Sequence, residues 1–224
     1  MNHERSLGST YTAIVPVKRL EHAKSRLHPE RAIRRSLATA FFQDVLALLG
    51  THPMVGEVLV VTGDEELIHM AEAVAAVPVR ETTDVARSGL NAAIAQGLWS
   101  AFRRAPDRPV AVVPSDLAFL DESGLTTVLT HAAGHRRAFC RDEEGTGTTI
   151  LTSADAVSVK TYYGPMSADR HLRAGFEELV GMPIGARRDV DVLATLHPAP
   201  PHAVGTQAAR ALAEAGRIGL LVPA

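Results

Sequence analysis

The chain has 224 residues, of which 46% are hydrophobic and 21% are charged, a balance typical of one globular domain with a substantial core. The formal net charge of −2 argues against a protein that mainly grips nucleic acid, although a local basic pocket for a small anion is compatible with it. Cys140 is the single cysteine, which excludes a disulfide framework and a cysteine-rich zinc site. Without a signal-peptide pattern or a segment of transmembrane length, we expect a cytoplasmic protein with no membrane partner.

Short apolar strands alternate with longer helical patterns along the chain, which predicts an α/β fold with a mainly parallel sheet and crossover helices. We expect residues 1–10 to form a flexible extension and residues 11–224 to form one domain. The predicted strands are 11–17, 58–62, 77–80, 110–113, 137–140 and 148–152. The predicted helices are 29–49, 65–75, 90–102, 122–133, 168–180 and 207–215, with Asp64, Asp121 and Ser167 as N-caps and Gly181 and Gly216 just past two helix ends.

Four cations follow the first predicted strand: Lys18, Arg19, Lys24 and Arg26. Ligands bind in the crevice at the carboxyl ends of the strands in open α/β sheets, and this loop leaves such an end. Arginine forks and lysine point charges there can neutralise a polyphosphate. An ordinary solvated loop is the alternative interpretation, and the absence of a Walker-type glycine motif argues against a P-loop.

Gly89 and Asn91 open the third predicted helix at the same edge of the sheet. Asn91 is either the N-cap of that helix or an amide that reads the edge of a base or ribose. The run 110–113 is continuously apolar, as in a strand buried on both faces. Ser115 and Asp116 follow it, so Asp116 is either a first ligand for a hard cation such as Mg²⁺ or the cap of a turn.

A glycine–threonine segment precedes the last predicted strand. Gly145 and Gly147 alternate with Thr146 and Thr148, and such a pattern lets backbone amides and hydroxyls approach an anion closely. A glycine-rich hairpin turn also explains the glycines. We therefore predict an anion cradle on this segment, with Thr149 continuing the row of hydroxyls into the strand.

A second candidate anion site begins at Gly164, where a Gly-Pro turn leads into the predicted helix 168–180. With Ser167 as the N-cap, the first helical turn would present exposed amides to a phosphate or carboxylate. Arg170 and His171 lie one turn further on, although Arg170 considered alone would be a solvated surface residue.

Asp189 and Asp191 are two residues apart on an extended segment, so both carboxylates point the same way. With Asp116 they would form an acidic cluster that repels itself unless a cation is bound. The sequence therefore predicts a site for one or two divalent ions, with helix capping as the alternative role of Asp191.

These motifs combine in a recognisable order: Val15-Pro-Val-Lys18, Ala23-Lys-Ser-Arg-Leu27, Gly89-Leu-Asn91, Asp116-Leu, Gly145-Thr-Gly-Thr148, Gly164-Pro-x-Ser-x-x-x-His171 and Asp189-Val-Asp191. Together they resemble the CofC/FbiD guanylyltransferases of coenzyme F-420 biosynthesis. The family usually has proline where this chain has Ala118, and the pair Tyr162-Tyr163 before Gly164 is a second departure.

The resemblance implies a three-layer, Rossmann-like nucleotidyltransferase fold of the glycosyltransferase-A type. It implies that GMP passes from GTP to a phosphorylated three-carbon acid, phosphoenolpyruvate above all, with Mg²⁺ as the divalent cofactor and pyrophosphate as the product. Carried over, Thr148, Gly164 and Ser167 would hold the acid's phosphate, Asp116 with Asp189 or Asp191 would bind Mg²⁺, and Lys18, Lys24 and Arg26 would face the triphosphate. We further predict that Gly147 and His171 bind the substrate, that Gly89, Asn91 and Ser115 bind the nucleotide, and that Asp116, Lys18, Lys24 and Arg26 are the catalytic residues.

Three alternatives stay open. The acid could be 2-phospho-L-lactate or 3-phospho-D-glycerate, since one hydroxyl or double bond is sensed by pocket shape. Another nucleotidyltransferase, for a sugar phosphate or a pterin, would usually carry a glycine-rich signature after strand one, which is Pro-Val-Lys-Arg here. A non-catalytic nucleotide-binding domain is compatible with any such fold. A deazaflavin-transferase enzyme as the next partner follows from the resemblance, and a homodimer is an expectation that the sequence does not test.

Overall fold

The computed structural model describes residues 10–22, 27–82, 89–157, 159–196 and 204–217. The proposed extension up to residue 9 lies outside these ranges, as do Lys24 and Arg26. The strands are Tyr11–Pro16 (β1), Val55–Thr62 (β2), Val77–Arg80 (β3), Val110–Val112 (β4), Arg137–Arg141 (β5), Thr148–Ser153 (β6) and Glu177–Glu178 (β7). The helices are Arg31–Thr51 (α1), Glu65–Ala73 (α2), Leu90–Arg104 (α3), Glu122–Ala132 (α4), Ser167–Arg173 (α5), Ile184–Arg187 (α6) and Thr206–Arg217 (α7).

In the described part of the chain, the seven strands form one sheet in the order β3-β2-β1-β4-β6-β5-β7. β1 pairs in parallel with both β2 and β4, and β2 pairs in parallel with β3. β6 is antiparallel to both β4 and β5. The predicted α/β class with a mainly parallel central sheet is confirmed. The strand order reverses between β1 and β4, and such a switch point is where open α/β sheets bind ligands.

The sheet is covered on both faces, which makes three layers. One hydrophobic cluster joins Ala13 and Val15 of β1 to α1 and α4, and a second joins Ile14 of β1 to α3. Helix α3 lies very close to the sheet because it carries Gly97, where a Cβ atom would stand 2.5 Å from Ile14 Cγ2 and 2.9 Å from Val61 Cγ2. The buried central strands explain why continuous apolar runs predicted them correctly.

Local signals at helix starts were reliable in two places. The side chain of Asp64 accepts a hydrogen bond from Glu66 N (3.1 Å), and that of Asp121 accepts one from Gly124 N (2.7 Å). Both predicted N-caps are therefore confirmed. None of the helices in the described ranges is long and apolar enough to cross a bilayer.

The predicted helix 168–180 is wrong in its second half. Helix α5 ends at Arg173, Gly175 takes a φ of 81°, and the chain then enters β7 beside β5. Glycine adopts this left-handed conformation without strain, so it can end a helix inside an apparently helical pattern. Gly181 consequently follows a strand and not a helix, while α7 runs through Gly216 to Arg217.

Candidate active site

Asp116 and the neighbouring pair Asp189 and Asp191, which are far from it in sequence, meet at the carboxyl end of β4. One carboxylate oxygen from each of Asp116, Asp189 and Asp191 lies within 4.8 Å of the others. The two segments are also joined through the main chain, because Val190 N donates a hydrogen bond to Asp116 O (3.1 Å). The predicted convergence of these aspartates is confirmed. A set of carboxylate oxygens suits a hard divalent cation such as Mg²⁺, so these residues fit the implied metal.

The aspartates border a cleft of about 450 Å³ at the β1–β4 switch point. Pro16 ends β1 on one side of this cleft, and Pro114 and Ser115 follow β4 on the other. Leu90, the first residue of α3, also lines it. The remaining lining residues are Val17, Lys18, Leu20, Ala38, Phe41, Ile94, Val112, Asp116, Thr148, Tyr163, Asp189 and Asp191.

The predicted group of cations after β1 separates in the structure. Lys18 is exposed and lines the cleft. Arg19 instead lies over Gly63, where a Cβ atom would be 3.3 Å from Arg19 Nε, and it borders a second depression with Asp64. Arg19 is therefore not among the described residues that line the cleft of Asp116, Asp189 and Asp191, and Lys24 and Arg26 are outside the described residues.

The glycine–threonine segment is a hairpin turn between β5 and β6 whose amides are already engaged. The carboxylate of Asp142 accepts hydrogen bonds from Thr146 N (2.9 Å) and Gly147 N (2.8 Å). A Cβ atom at Gly147 would overlap this carboxylate, which explains the glycine. The prediction that these two amides cradle an external anion is wrong, because Asp142 is the anion that they bind.

Several residues were predicted to bind the acid. Of these, Thr148, the first residue of β6, is the one found among the described residues that line the cleft. Its Oγ1 is 2.9 Å from Nδ1 of His171, and Nε2 of His171 accepts a hydrogen bond from Tyr162 N (3.0 Å). His171 is 0% exposed. The prediction that His171 contacts the substrate itself is wrong, because both ring nitrogens have protein partners and no part of the side chain reaches the cleft.

His171 sits among aromatic rings. Its ring centroid lies 5.1 Å from that of Phe176, 5.4 Å from Tyr163, 5.8 Å from Phe139 and 5.9 Å from Tyr162. Burial in this apolar cage lowers the pKa of His171 to about 4, against the opposing effect of a hydrogen bond with the Ser167 backbone. The imidazole is therefore neutral at physiological pH.

Asn91 is not the N-cap of α3, since Gly89 occupies that position with a φ of 101°. The carboxamide oxygen of Asn91 accepts from Tyr163 N (2.8 Å) and Thr161 Oγ1 (2.9 Å), and its nitrogen donates to Tyr163 O (2.9 Å). Asn91 thus fixes the segment before Gly164 to α3. A nucleotide-reading role for Gly89, Asn91 and Ser115 stays a prediction.

Ser167 begins α5 and is 2% exposed, but the N-cap of that helix is Met166, at a φ of 55°. The predicted N-cap role of Ser167 is therefore wrong. Its role with Gly164 in holding a phosphate remains a prediction. Tyr163, one of the departures noted above, is buried and donates its hydroxyl to Thr149 O (2.9 Å). Ala118, the other departure, is buried beside Phe41, and its carbonyl accepts from Gly205 N (3.1 Å).

The sequence analysis missed two residues that shape the site: Asp142, whose carboxylate binds the amides of the β5–β6 turn, and Asn91, whose side chain joins α3 to the segment before Gly164. A signal existed for Asp142, which stands five residues before Gly147 at the end of a strand. Short acidic side chains commonly bond backbone amides in such turns. Asn91 gave no comparable signal, because its partners are some 70 residues away in sequence.

The family model for "Guanylyl transferase CofC like" matches residues 11–180, which include β1 and the segments carrying Asp116, Thr148 and His171. The chain belongs to this CofC-like family. A phosphoenolpyruvate guanylyltransferase from Streptomyces scabiei (strain 87.22) is 38% identical to this CofC-like chain, over 95% of the chain and 98% of the relative. A second, from Frankia casuarinae, is 34% identical over 93% of the chain and 78% of the relative.

The CofC-like chain also resembles solved nucleotidyltransferase-type folds. A candidate nucleotide-diphospho-sugar transferase from Desulfovibrio desulfuricans G20 superimposes with a TM-score of 0.68, covering 94% of this chain and 96% of that one at 15% identity. At this identity the likeness concerns the fold alone. With the family match and the curated relatives, the CofC-like protein is a nucleotidyltransferase that carries out guanylyl transfer.

Proposed function

We propose that this protein transfers GMP from GTP to the phosphate of phosphoenolpyruvate, releases pyrophosphate, and serves coenzyme F-420 biosynthesis. The observation that carries the proposal is the cleft at the β1–β4 switch point, which combines Asp116, Asp189 and Asp191 with Lys18 and Thr148. The names of the curated relatives support the choice of acid.

The reaction joins two anions. An oxygen of the acceptor phosphate forms a bond to the α-phosphorus of GTP, and the bond from that phosphorus to the β-phosphate oxygen breaks, so that pyrophosphate leaves with the electron pair. The attacking oxygen is already negatively charged, so no side chain has to remove a proton. The barrier lies in alignment and charge repulsion, and positioning and electrostatic stabilisation lower it.

Each part of the cleft has a role in this scheme. Asp116, Asp189 and Asp191 would hold Mg²⁺, which when bound supplies positive charge to the phosphates at the point of reaction. Lys18 offers a mobile point charge toward the triphosphate. Thr148 offers its hydroxyl to the acceptor. Neutral, buried His171 takes no proton from substrate, consistent with a reaction that needs no base.

Pyrophosphate release tests the proposal when each nucleoside triphosphate is combined with phosphoenolpyruvate, 2-phospho-L-lactate or 3-phospho-D-glycerate, with and without Mg²⁺. We expect GTP with phosphoenolpyruvate and Mg²⁺ to give the highest kcat/KM, with the diphosphate-linked product visible by phosphorus NMR. A clear preference for another acid or nucleotide would contradict the assignment.

The variant Asp116→Asn should lower kcat at least about 100-fold, because one of the three carboxylates that would hold Mg²⁺ loses its charge, which weakens the stabilisation of the reacting phosphates. Asp107→Asn is the matched control: it removes the same charge at an exposed position away from the cleft and should keep wild-type turnover. Equal turnover in Asp116→Asn and the wild type would remove Asp116 from the mechanism.

A further inference from the structure

The hydrogen bonds around His171 specify where its proton is. A backbone N–H is only a donor, and Tyr162 N points at Nε2 of His171 from 3.0 Å. Nε2 must therefore accept, and it carries no proton. A neutral imidazole has one proton, which is then on Nδ1.

This assignment fixes the direction of the next hydrogen bond. Nδ1 is 2.9 Å from Thr148 Oγ1, and a protonated ring nitrogen has no lone pair to offer. His171 therefore donates and the Thr148 hydroxyl accepts. The hydroxyl proton of Thr148 is excluded from this contact and has to point elsewhere, and Thr148 lines the same cleft as Asp116.

The surroundings of His171 keep this arrangement in place. The four aromatic rings and the absence of exposure oppose an imidazolium ion, and burial lowers the pKa of His171 to about 4. An imidazolium would also place a second ring N–H against the N–H of Tyr162, with donor facing donor. The neutral form with the proton on Nδ1 satisfies both ring nitrogens and the N–H of Tyr162.

We propose that His171 is a positioning residue that makes Thr148 an obligatory hydrogen-bond donor toward an anionic oxygen of the acceptor substrate. Which acid supplies that oxygen rests on the proposed function, whereas the donor direction does not. A hydroxyl that accepts one hydrogen bond is polarised and donates more strongly in the next. The pair thus favours phosphate or carboxylate oxygens, which only accept, over groups that would need to donate to Thr148.

The proton position can be measured in the ligand-free wild-type protein by long-range proton–nitrogen NMR, with His171 assigned by comparison with a His171→Asn sample. We expect a protonated Nδ1 and an unprotonated Nε2, unchanged between pH 8 and pH 6. A protonated Nε2, or an imidazolium at pH 7, would overturn the proposal. This measurement does not depend on catalysis.

Kinetics separate positioning from general support of the fold. His171→Phe keeps a ring in the aromatic cage but removes the donor, and we expect it to raise KM for phosphoenolpyruvate about tenfold while KM for GTP changes less than about twofold. His171→Asn places an amide N–H near the former Nδ1 and should recover part of the loss. A change of equal size in both Michaelis constants would contradict the positioning role.

A double-mutant cycle gives the sharpest control. Thr148→Val removes the hydroxyl, so His171→Phe should add less than about twofold to the KM for phosphoenolpyruvate in that background. Full additivity would refute coupling through Thr148. If wild-type protein releases no pyrophosphate from any pair of substrates, the proposed function fails, and the nitrogen shifts still decide the arrangement of His171 and Thr148.

Discussion

Acid should destabilise this protein through His171 over a defined pH window. The pKa of His171 is about 4 in the folded chain, below the ordinary value of about 6.5. Between these two values the unfolded chain binds the proton and the folded chain does not, so protonation favours unfolding. The stabilising contribution is complete above pH 6.5 and is lost as the pH falls toward 4.

The size of the effect follows from the two pKa values. Relative to pH 8, the free energy of unfolding should fall by about 2 kcal/mol at pH 5 and by about 3 kcal/mol at pH 4 through this one residue. The physical cause is the aromatic cage, which cannot solvate an imidazolium, together with the Tyr162 N–H, which faces Nε2.

Urea unfolding followed by circular dichroism at pH 8 and pH 5 tests this expectation with the variant His171→Asn, which has no titrating group at position 171. The wild type should lose about 2 kcal/mol more than the variant between the two pH values. His69→Asn is the control, because the side chain of His69 is 76% exposed, and it should keep the wild-type loss. Parallel losses in wild type and His171→Asn would refute the reasoning.

Two further predictions concern close approaches in the fold. Gly97→Ala should lower the free energy of unfolding by about 1–3 kcal/mol, because its Cβ would meet Ile14 Cγ2 at 2.5 Å, whereas Gly50→Ala meets nothing within 4 Å and should be neutral or slightly stabilising. Thermal and urea unfolding compare the pair, and equal effects would contradict the packing argument. Asp142→Ala should lower the free energy of unfolding by about 1–3 kcal/mol, because two turn amides lose the carboxylate that they bind. Glu144→Ala, at a neighbouring exposed position, should change it by less than about 0.5 kcal/mol. Equal losses in these two variants would show that the turn does not depend on Asp142.

Much of the fold could be predicted because its determinants are local. The apolar runs at β1 and β4 predicted buried central strands, and Asp64 and Asp121 predicted the starts of the helices that they cap. The end of α5 was missed because a single glycine, Gly175, takes a left-handed conformation that an apparently helical pattern does not reveal.

The candidate site divides in the same way. The convergence of Asp116 with Asp189 and Asp191 could be predicted, because the order of strands and helices in the sequence indicates which loops lie at the ligand-binding edge of the sheet. The direction of the His171–Thr148 hydrogen bond could not be predicted, because it depends on Tyr162 N approaching from a third segment. Hydrogen bonds between side chains and backbone groups of other segments cannot be predicted from a single sequence.

Because the antiparallel strand β6 lies between β4 and β5, the residues that line the cleft come from two different parts of the sheet. Because β6 runs against β4, its first residue, Thr148, arrives at the edge where the parallel strands finish. Lys18 and Asp116 come from the parallel half, and Thr148 comes from the inserted hairpin. Under the proposed function, we expect exchange of the β5–β6 hairpin between relatives to change which acceptor acid is used, while the parallel strands stay unchanged.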